Sequence, residues 1–266
     1  METVSGVFKT REAAARVVQD ASKAGVPADK ITLLTPGSLS EVDREMESVP
    51  VDTAEQPGMG KAIGALLGGG VGITGGSLLV ALIPGVGPIT AIGLLGAAIV
   101  GAAGATVGAS VGGRMEKSTT EGLPEDEIYV YEDALRQGRS VVVAVVENGE
   151  PATALRELMK TEGAESVDAA REQWWIGLRS AEESHYSKMG KNFANDEKYY
   201  RLGFQAALHA RTRCMEFDQV SGEMNAALED AQREHPGVDL EEAFTRGYQR
   251  GRDYYQQLCD EKTKAA

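Results

Sequence analysis

The sequence predicts an α+β protein with an inserted apolar segment and a helical C-terminal region. Two strand–helix–strand patterns are separated by an uncharged block, and after Asp168 the chain becomes rich in aromatic and charged residues. This grouping of elements is typical of the α+β class followed by a separate helical region. The expected organisation is a split domain at residues 1–35 and 122–168, an acidic linker at 36–58, an inserted segment at 59–114 and a helical domain at 169–266.

The first strand–helix–strand pattern occupies the N-terminus. Residues 3–8 alternate weakly between polar and apolar side chains, which indicates a short strand. Thr10 can cap a helix that runs to about residue 24, because its hydroxyl can accept a hydrogen bond from an N–H of the first turn. Gly25 ends this helix, and residues 30–35 read as a second strand.

The uncharged block covers residues 62–113, which contain no Asp, Glu, Lys, Arg or His. It holds two apolar runs, 62–83 and 89–113, and a helix of either length could cross a hydrocarbon core of roughly 30 Å. Proline and glycine between the runs favour a tight reversal. The turn residues are Pro84, Gly85, Gly87 and Pro88. The block therefore predicts a transmembrane helical hairpin, with a buried hairpin in a soluble assembly as the alternative.

Small residues recur every four positions in both runs. Residues four apart share one helix face, and glycine there lets a neighbouring backbone approach closely, which is a main source of helix association in lipid. The pattern therefore predicts packing between helices and between copies of the chain. The expected packing glycines are Gly60, Gly64, Gly68, Gly72, Gly76, Gly93, Gly101, Gly104, Gly108 and Gly112.

The second strand–helix–strand pattern follows the block. It predicts a helix at about 124–137, a strand at 140–146, a helix at 151–161 and a short strand at 163–167. The strand at 140–146 (Ser-Val-Val-Val-Ala-Val-Val) is a continuous β-branched run suited to burial on both faces. Two such units in succession give βαββαβ, the ferredoxin-like plan, split where the halves meet.

Several motifs of this region resemble the bacterial general-stress (heat-induced stress) protein domain. The similarity covers about residues 3–168 and is best defined at 83–88 (Ile-Pro-Gly-Val-Gly-Pro) and 122–127 (Gly-Leu-Pro-Glu-Asp-Glu). It extends through Tyr131-Glu132 and 135–138 (Leu-Arg-Gln-Gly). The resemblance implies a link to stress response and to the membrane. It implies neither an agreed activity nor catalytic residues.

The C-terminal region predicts a helix at 169–189, a single helix at 196–233 and a last helix through about residue 262. The last two carry an internal repeat at an offset of 44 residues, in which aromatic-x-x-Gly-aromatic recurs. We expect an aromatic-rich helical hairpin in which a ring of one helix fills the glycine gap of the other. The expected contact residues are Tyr200, Gly203, Phe204, Phe244, Gly247 and Tyr248.

Catalytic and cofactor motifs are weak. A net charge of −13 disfavours nucleic-acid binding. Glu182-x-x-His185 has the spacing found in di-iron bundles, but no second such pair is present. The sequence therefore predicts a non-enzymatic protein with no cofactor or metal, and it leaves a small-molecule ligand open.

The function expected from these patterns is a membrane-anchored, stress-linked structural protein whose hairpins form a homo-oligomer, as a pore or scaffold. Lys61 and Arg114 flank the block, which by the positive-inside tendency places the soluble domains in the cytoplasm at the bacterial inner membrane. One alternative is a stress-linked sensor or binding module, and a further one is a ferritin-like metal enzyme.

Overall fold

The computed structural model describes residues 1–27, 30–37, 78–83, 87–92, 126–213, 215–220, 222 and 240–265. It has mixed α and β structure, in agreement with the predicted α+β class. The chain divides into two compact units, Met1–Arg171 and Glu172–Ala266.

The first unit is built on an antiparallel sheet. Its strands are β1 (Glu2–Phe8), β2 (Ile31–Pro36), β3 (Leu78–Ile83), β4 (Gly87–Ile92) and β5 (Ser140–Val146), in the spatial order β1-β5-β2-β4-β3. Strand β5 lies between β1 and β2 and pairs Val142 with both Gly6 and Leu33. All seven residues of β5 are buried, so the prediction of a strand covered on both faces is confirmed.

Helices cover the two faces of the sheet. Helix α1 (Arg11–Asp20), with the 3₁₀ turn Ala21–Ala24, and helix α3 (Glu150–Thr161) share one apolar core with the sheet. Its sheet residues include Val4, Ile31 and Val142. Helix α2 (Ile128–Arg136) packs against β5 and β2. Glu127, which precedes α2, accepts a hydrogen bond from Ser5, and the Ser5 side chain points away from that core because strand side chains alternate.

Local signals in this unit act as the sequence predicts. The backbone N–H of Ala13 donates to the Thr10 hydroxyl at 3.3 Å, so Thr10 is the N-cap of α1. Gly25 and Gly138 have φ of 78° just after the first helical segment and after α2. This left-handed conformation costs glycine little and ends a helix.

The strands β3 and β4 contradict the prediction of helices through residues 78–83 and 89–92. β3 pairs antiparallel with β4, and β4 pairs with β2, where Thr90 lies opposite both Val80 and Thr35. Of the residues expected at the reversal, Gly87 and Pro88 belong to β4, and 84–86 lie outside the described residues. Short apolar runs fit a strand or a helix equally well by periodicity, and the edge of β2 provides the hydrogen-bonding partner that selects a strand.

The predicted transmembrane hairpin would place its turn on the far side of a bilayer. In the structure β3 and β4, which flank that turn, belong to the same sheet as β2 and β5. No helix in the described ranges is long and apolar enough to cross a membrane.

The expected last strand at 163–167 is wrong. Only one bridge forms here, between Val7 and Glu165, with N–O distances of 3.0 and 2.8 Å. Helix α4 (Val167–Ser187) begins directly afterwards. The Ala169 N–H donates to the Ser166 hydroxyl at 3.2 Å, so the chain turns helical before it can continue along β1.

The second unit contains the rest of α4 together with α5 (Phe193–Ala206) and α6 (Leu240–Ala265). The predicted helix at 169–189 is close to α4, and the predicted last helix is close to α6. The single helix expected at 196–233 is wrong, because α5 ends at Ala206 and turns occupy 207–213. The Thr212 hydroxyl donates to the Ala206 carbonyl, and Arg213 donates to the Leu208 carbonyl at 2.8 Å, so side chains satisfy groups that a longer helix would use.

The helix directions correct the expected C-terminal hairpin. Contacts between α5 and α6 advance together along both helices, from Tyr199 with Leu240 to Phe204 with Gly251. The two helices with the repeat therefore run parallel. Helix α4 runs antiparallel to α5. Trp175 donates a hydrogen bond to Glu197, whereas Glu172, which lies earlier in α4, pairs with Arg201, which lies later in α5.

Candidate functional site

The closest contact in the second unit joins the two copies of the repeat, backbone to backbone. A methyl group on Gly203 would overlap the Phe244 carbonyl oxygen, and one on Gly247 would overlap the Tyr200 carbonyl oxygen. Each repeat therefore presents a glycine to the carbonyl of the aromatic residue in the other. The expected ring in the glycine gap is replaced by a carbonyl, which requires a closer approach of the helices.

The aromatic rings of the repeat form the surrounding core. Phe204 makes edge contacts with Trp174 and Trp175 at centroid distances of 5.8 and 5.9 Å, and Tyr200 contacts Tyr186 at 5.0 Å. Tyr248 is fully buried, and its hydroxyl donates to the Thr212 carbonyl at 3.1 Å. Edge-to-face geometry adds to the stabilisation that burial of these rings provides.

A buried carboxylate joins all three helices. Glu182 of α4 is 1% exposed and accepts a hydrogen bond from the Tyr200 hydroxyl at 2.7 Å. Arg250 of α6 donates to both oxygens of the same carboxylate, at 3.0 and 3.1 Å. Burial, with the hydrogen bond to Glu182 as the next cause, raises the pKa of Tyr200 well above its usual value. This cluster was not predicted from the sequence, although Glu182 is seven residues after Trp175 and therefore lies on the same face of α4 as Trp175.

A second carboxylate links α4 to α5 nearer the surface. Glu197 accepts hydrogen bonds from Trp175 at 2.9 Å and from two nitrogens of Arg179, both at 2.8 Å. The hydrogen bonds from Arg179 lower the pKa of Glu197. The planar guanidinium matches the carboxylate in two places, which fixes the register of the two helices.

The residues considered for a di-iron site do not converge. Glu182 is held by Tyr200 and Arg250, whereas His185 is exposed. Within the described ranges, no group of three or more His, Cys, Asp or Glu side chains is placed to hold a metal ion. The hydrogen bonds of Glu182 and Glu197 described above join the helices of this unit to one another.

The first unit has a groove of about 360 Å³ at the edge of β1. One wall is formed by Val4 and Ser5, the opposite wall by the segment 164–168, and Met159 and Lys160 of α3 also line it. The groove begins where the bridge between Val7 and Glu165 stops.

Ion pairs surround this groove. Arg171 lies 3.5 Å from Glu127 and 2.7 Å from Asp168, and Arg139 pairs with Glu165. The Tyr131 hydroxyl also donates to Glu127, at 2.6 Å. Burial, followed by the charge of Glu127, raises the pKa of Tyr131 well above its usual value.

The predicted packing glycines of the inserted segment lie outside the described residues. This applies to Gly60, Gly64, Gly68, Gly72, Gly76, Gly93, Gly101, Gly104, Gly108 and Gly112, and to the turn residues Pro84 and Gly85. Gly87 and Pro88 are paired with Ile83 and Leu82 of β3. Packing through the glycine rows therefore stays a prediction.

Comparisons with protein-family models, with curated proteins and with solved structures find no match to this chain. The resemblance to the general-stress domain therefore stays a prediction that rests on the motifs quoted above.

Proposed function

We propose that this protein is a non-enzymatic structural protein that assembles into a homo-oligomer through its uncharged segment, residues 62–113. The observation that carries the proposal is the pair of glycine rows in a block of 52 residues without a charge. Few side chains in such a block can form hydrogen bonds with water, so the segment needs a partner surface that is apolar and closely packed.

The contact between α5 and α6 supports the use of glycine for assembly in this chain. Gly203 and Gly247 each bring a carbonyl of the facing helix within a distance that a side chain would forbid. The rows that contain Gly64, Gly68 and Gly72 offer the same possibility several times over. One copy of a glycine row can contact one neighbour, and two rows per chain allow contacts on two sides.

The edge strand β3 provides a second route to assembly. Its sequence is Leu-Leu-Val-Ala-Leu-Ile, and it ends the described sheet. Edge strands of monomeric proteins commonly carry charge or proline that prevents pairing with other chains, and β3 has neither. Antiparallel pairing of β3 with a second copy would join two sheets into one.

The fold of the first unit is consistent with a reduced ferredoxin-like domain, and we infer that the general-stress resemblance of residues 3–168 reflects it. The order β1-β5-β2, with Glu165 beyond β1, corresponds to the 4-1-3-2 order of that plan if the fourth strand is reduced to one bridge. Helices α1 and α3 share one core with the sheet, as the plan requires. The stress-response role follows from the resemblance alone.

We also propose contact with the bacterial inner membrane, through the parts of the uncharged segment that do not belong to β3 and β4. The apolar runs left beside β3 and β4 are residues 62–77 and 93–113. These runs could enter a bilayer from the side that carries the sheet, without the turn crossing it. A membrane scaffold and a soluble assembly therefore differ in whether lipid or other copies cover these runs.

The test is the mass of the full-length protein by light scattering and native mass spectrometry, in buffer, in detergent and in nanodiscs. We expect an oligomer in at least one of these media, and a dependence on detergent or lipid would favour the membrane scaffold. Gly68→Leu and Gly72→Leu should reduce the oligomer, because bulk on the row blocks close approach. Gly70→Leu adds the same bulk on the opposite face of a helix and is the matched control.

Val80→Lys tests the β3 route separately, since a charge on an edge strand opposes pairing with another copy. A monomer in all three media would overturn the proposal. Loss of the oligomer in Gly70→Leu to the same extent as in Gly68→Leu would reject the glycine row as the interface. Metal found by elemental analysis in stoichiometric amount would instead favour the ferritin-like alternative.

A further inference from the structure

Beside Ser5, no described strand pairs with the edge of β1 that faces the groove. The N–H and C=O of Val7 both bond Glu165, so Val7 directs its backbone groups away from β5. Backbone hydrogen-bonding directions alternate along a strand, which places the N–H and C=O of Ser5 at the same outer edge. In the described part of the chain no strand continues beyond Glu165 to meet them, because α4 starts at Val167.

Among the described residues that line the groove, one cation lies outside any ion pair. The carboxylates of Glu127, Glu165 and Asp168 are each within an ion pair with an arginine. Arg156, which also lines the groove, pairs with Glu2 at 2.9 Å. Among the described residues, the ammonium group of Lys160 has no carboxylate partner, and its side chain is exposed.

We propose that this groove binds an extended acidic polypeptide segment, which adds to β1 as a further strand. Its backbone would bond the N–H and C=O of Ser5, and a carboxylate side chain would pair with Lys160. The proposal extends beyond self-assembly, because the occupant is a segment of a partner protein and the site is at the opposite end of the described sheet from β3.

An extended segment fits this site better than a compact ligand does. The groove is bounded by a strand on one side and by the 164–168 segment on the other, with α3 also contributing to it. Strand addition obtains affinity from main-chain hydrogen bonds and specificity from pockets for alternate side chains. Lys160 provides the charge preference, and Met159 provides an apolar surface in the same groove.

The test is fluorescence anisotropy with the full-length protein and the labelled peptide acetyl-Val-Glu-Val-Glu-Val-Glu-amide. We expect saturable binding of this peptide and weaker binding of the matched peptide with Lys in place of Glu. Lys160→Glu should weaken binding of the acidic peptide about tenfold, since the change removes an ion pair and adds repulsion between like charges. Lys9→Glu makes the same change of net charge outside the groove and should leave binding within about twofold.

The backbone contribution is tested on the peptide, so that the fold of the protein is untouched. Two peptides are methylated at alternate backbone nitrogens, so that each lacks the N–H donors of one of its two edges. One of these two peptides should lose binding, namely the one that lacks the donors of the edge facing β1. Ser5→Pro removes the N–H of the β1 edge and should weaken binding, whereas Ser5→Ala keeps that N–H and should not. Circular dichroism of both variants checks that the sheet is retained.

Three results would overturn the proposal. The first is no saturable binding of the acidic peptide, including the case in which another part of this chain already fills the groove. The second is equal weakening by Lys160→Glu and Lys9→Glu, which would indicate a general charge effect. The third is unchanged affinity of both methylated peptides, which would exclude strand addition. Each of these outcomes leaves the homo-oligomer proposal intact, because its test measures mass alone.

Discussion

Gly203 and Gly247 are the residues at which a single atom decides the packing of the second unit. Each lies against a carbonyl oxygen of the facing helix, at about 2 Å from the position that a Cβ would take. Glycine is unfavourable inside a helix by about 1 kcal/mol relative to alanine. The close helix contact offsets that cost, since it allows the surrounding rings to pack and Glu182 to reach both Tyr200 and Arg250.

Gly203→Ala and Gly247→Ala should each lower the free energy of unfolding by about 1–3 kcal/mol, because overpacking forces the backbones of α5 and α6 apart. Urea unfolding followed by circular dichroism measures the effect. Gly177→Ala is the matched control, since nothing lies within 4 Å of the added methyl group in α4. It should raise stability by up to about 1 kcal/mol. A neutral result for both Gly203→Ala and Gly247→Ala would contradict the contact described here.

At the scale of elements, β3 and β4 are the strands whose placement matters most for function. The pairing of β4 with β2, and of β3 with β4, assigns residues 78–83 and 87–92 to the first unit, where the sequence pattern favours membrane helices on either side of a turn. The two arrangements predict different neighbours for Thr35. In the sheet it lies opposite Thr90 of β4, and in the membrane arrangement these residues would be far apart.

Thr35→Cys with Thr90→Cys should form a disulfide under mild oxidation, in a background of Cys214→Ser and Cys259→Ser. Directly opposed residues of antiparallel strands have Cα atoms about 4.5–5.5 Å apart, within the range that a disulfide spans. Thr35→Cys with Val80→Cys is the control, because two strand spacings separate that pair by about 9.5 Å. Electrophoretic mobility without and with reductant measures the bond, and equal cross-linking of both pairs would reject the register.

At the scale of the whole molecule, buried tyrosines occur in both units. Burial, together with a carboxylate that accepts a hydrogen bond from the hydroxyl group, raises the pKa of Tyr131, Tyr186 and Tyr200. In the unfolded chain each tyrosine titrates near about 10. Because the folded pKa is the higher one, the stabilisation is fully present below pH 10. It is lost as the pH rises from there through the folded pKa, where only the unfolded form releases the proton.

We therefore expect the contribution of these tyrosines to the free energy of unfolding to be constant up to about pH 10 and to fall above it. Each such tyrosine contributes at most about 1.4 kcal/mol per pH unit. Tyr200→Phe should make the decline above pH 10 shallower and should lower stability at pH 8 by about 1.5–3 kcal/mol, because a hydrogen bond to a charged group is lost. Urea midpoints between pH 8 and 11 measure both effects.

Tyr199→Phe is the matched control for this experiment. It removes a hydroxyl from the same helix and leaves the hydrogen bond between Tyr200 and Glu182 in place. A decline above pH 10 that is as steep in Tyr200→Phe as in the unmodified protein would show that Tyr200 does not contribute to it.

Much of the first unit could be predicted from the sequence because its signals are local. The Thr10 cap and the glycines after α1 and α2 act through neighbouring atoms. The β-branched run of β5 predicts a strand without knowledge of the strands that pair with it. The aromatic-x-x-Gly repeat likewise pointed to the residues that meet between α5 and α6.

The candidate sites depend on contacts between residues distant in the chain, which the sequence does not specify. The bond of Glu182 to Arg250 spans 68 residues, and the groove beside Ser5 exists because Ser166 begins a helix where a strand was expected.

The sequence by itself determined the α+β class, the buried central strand, the helix ends in the first unit and the uncharged segment, since each follows from local conformational preference or from composition. The tertiary structure alone decided that residues 78–83 and 87–92 are strands of the sheet that contains β2, that α5 stops at Ala206 and that α5 and α6 run parallel. The physical reason is that a backbone hydrogen bond or a helix end is settled by whichever partner is nearest in space, and that partner can lie anywhere along the chain.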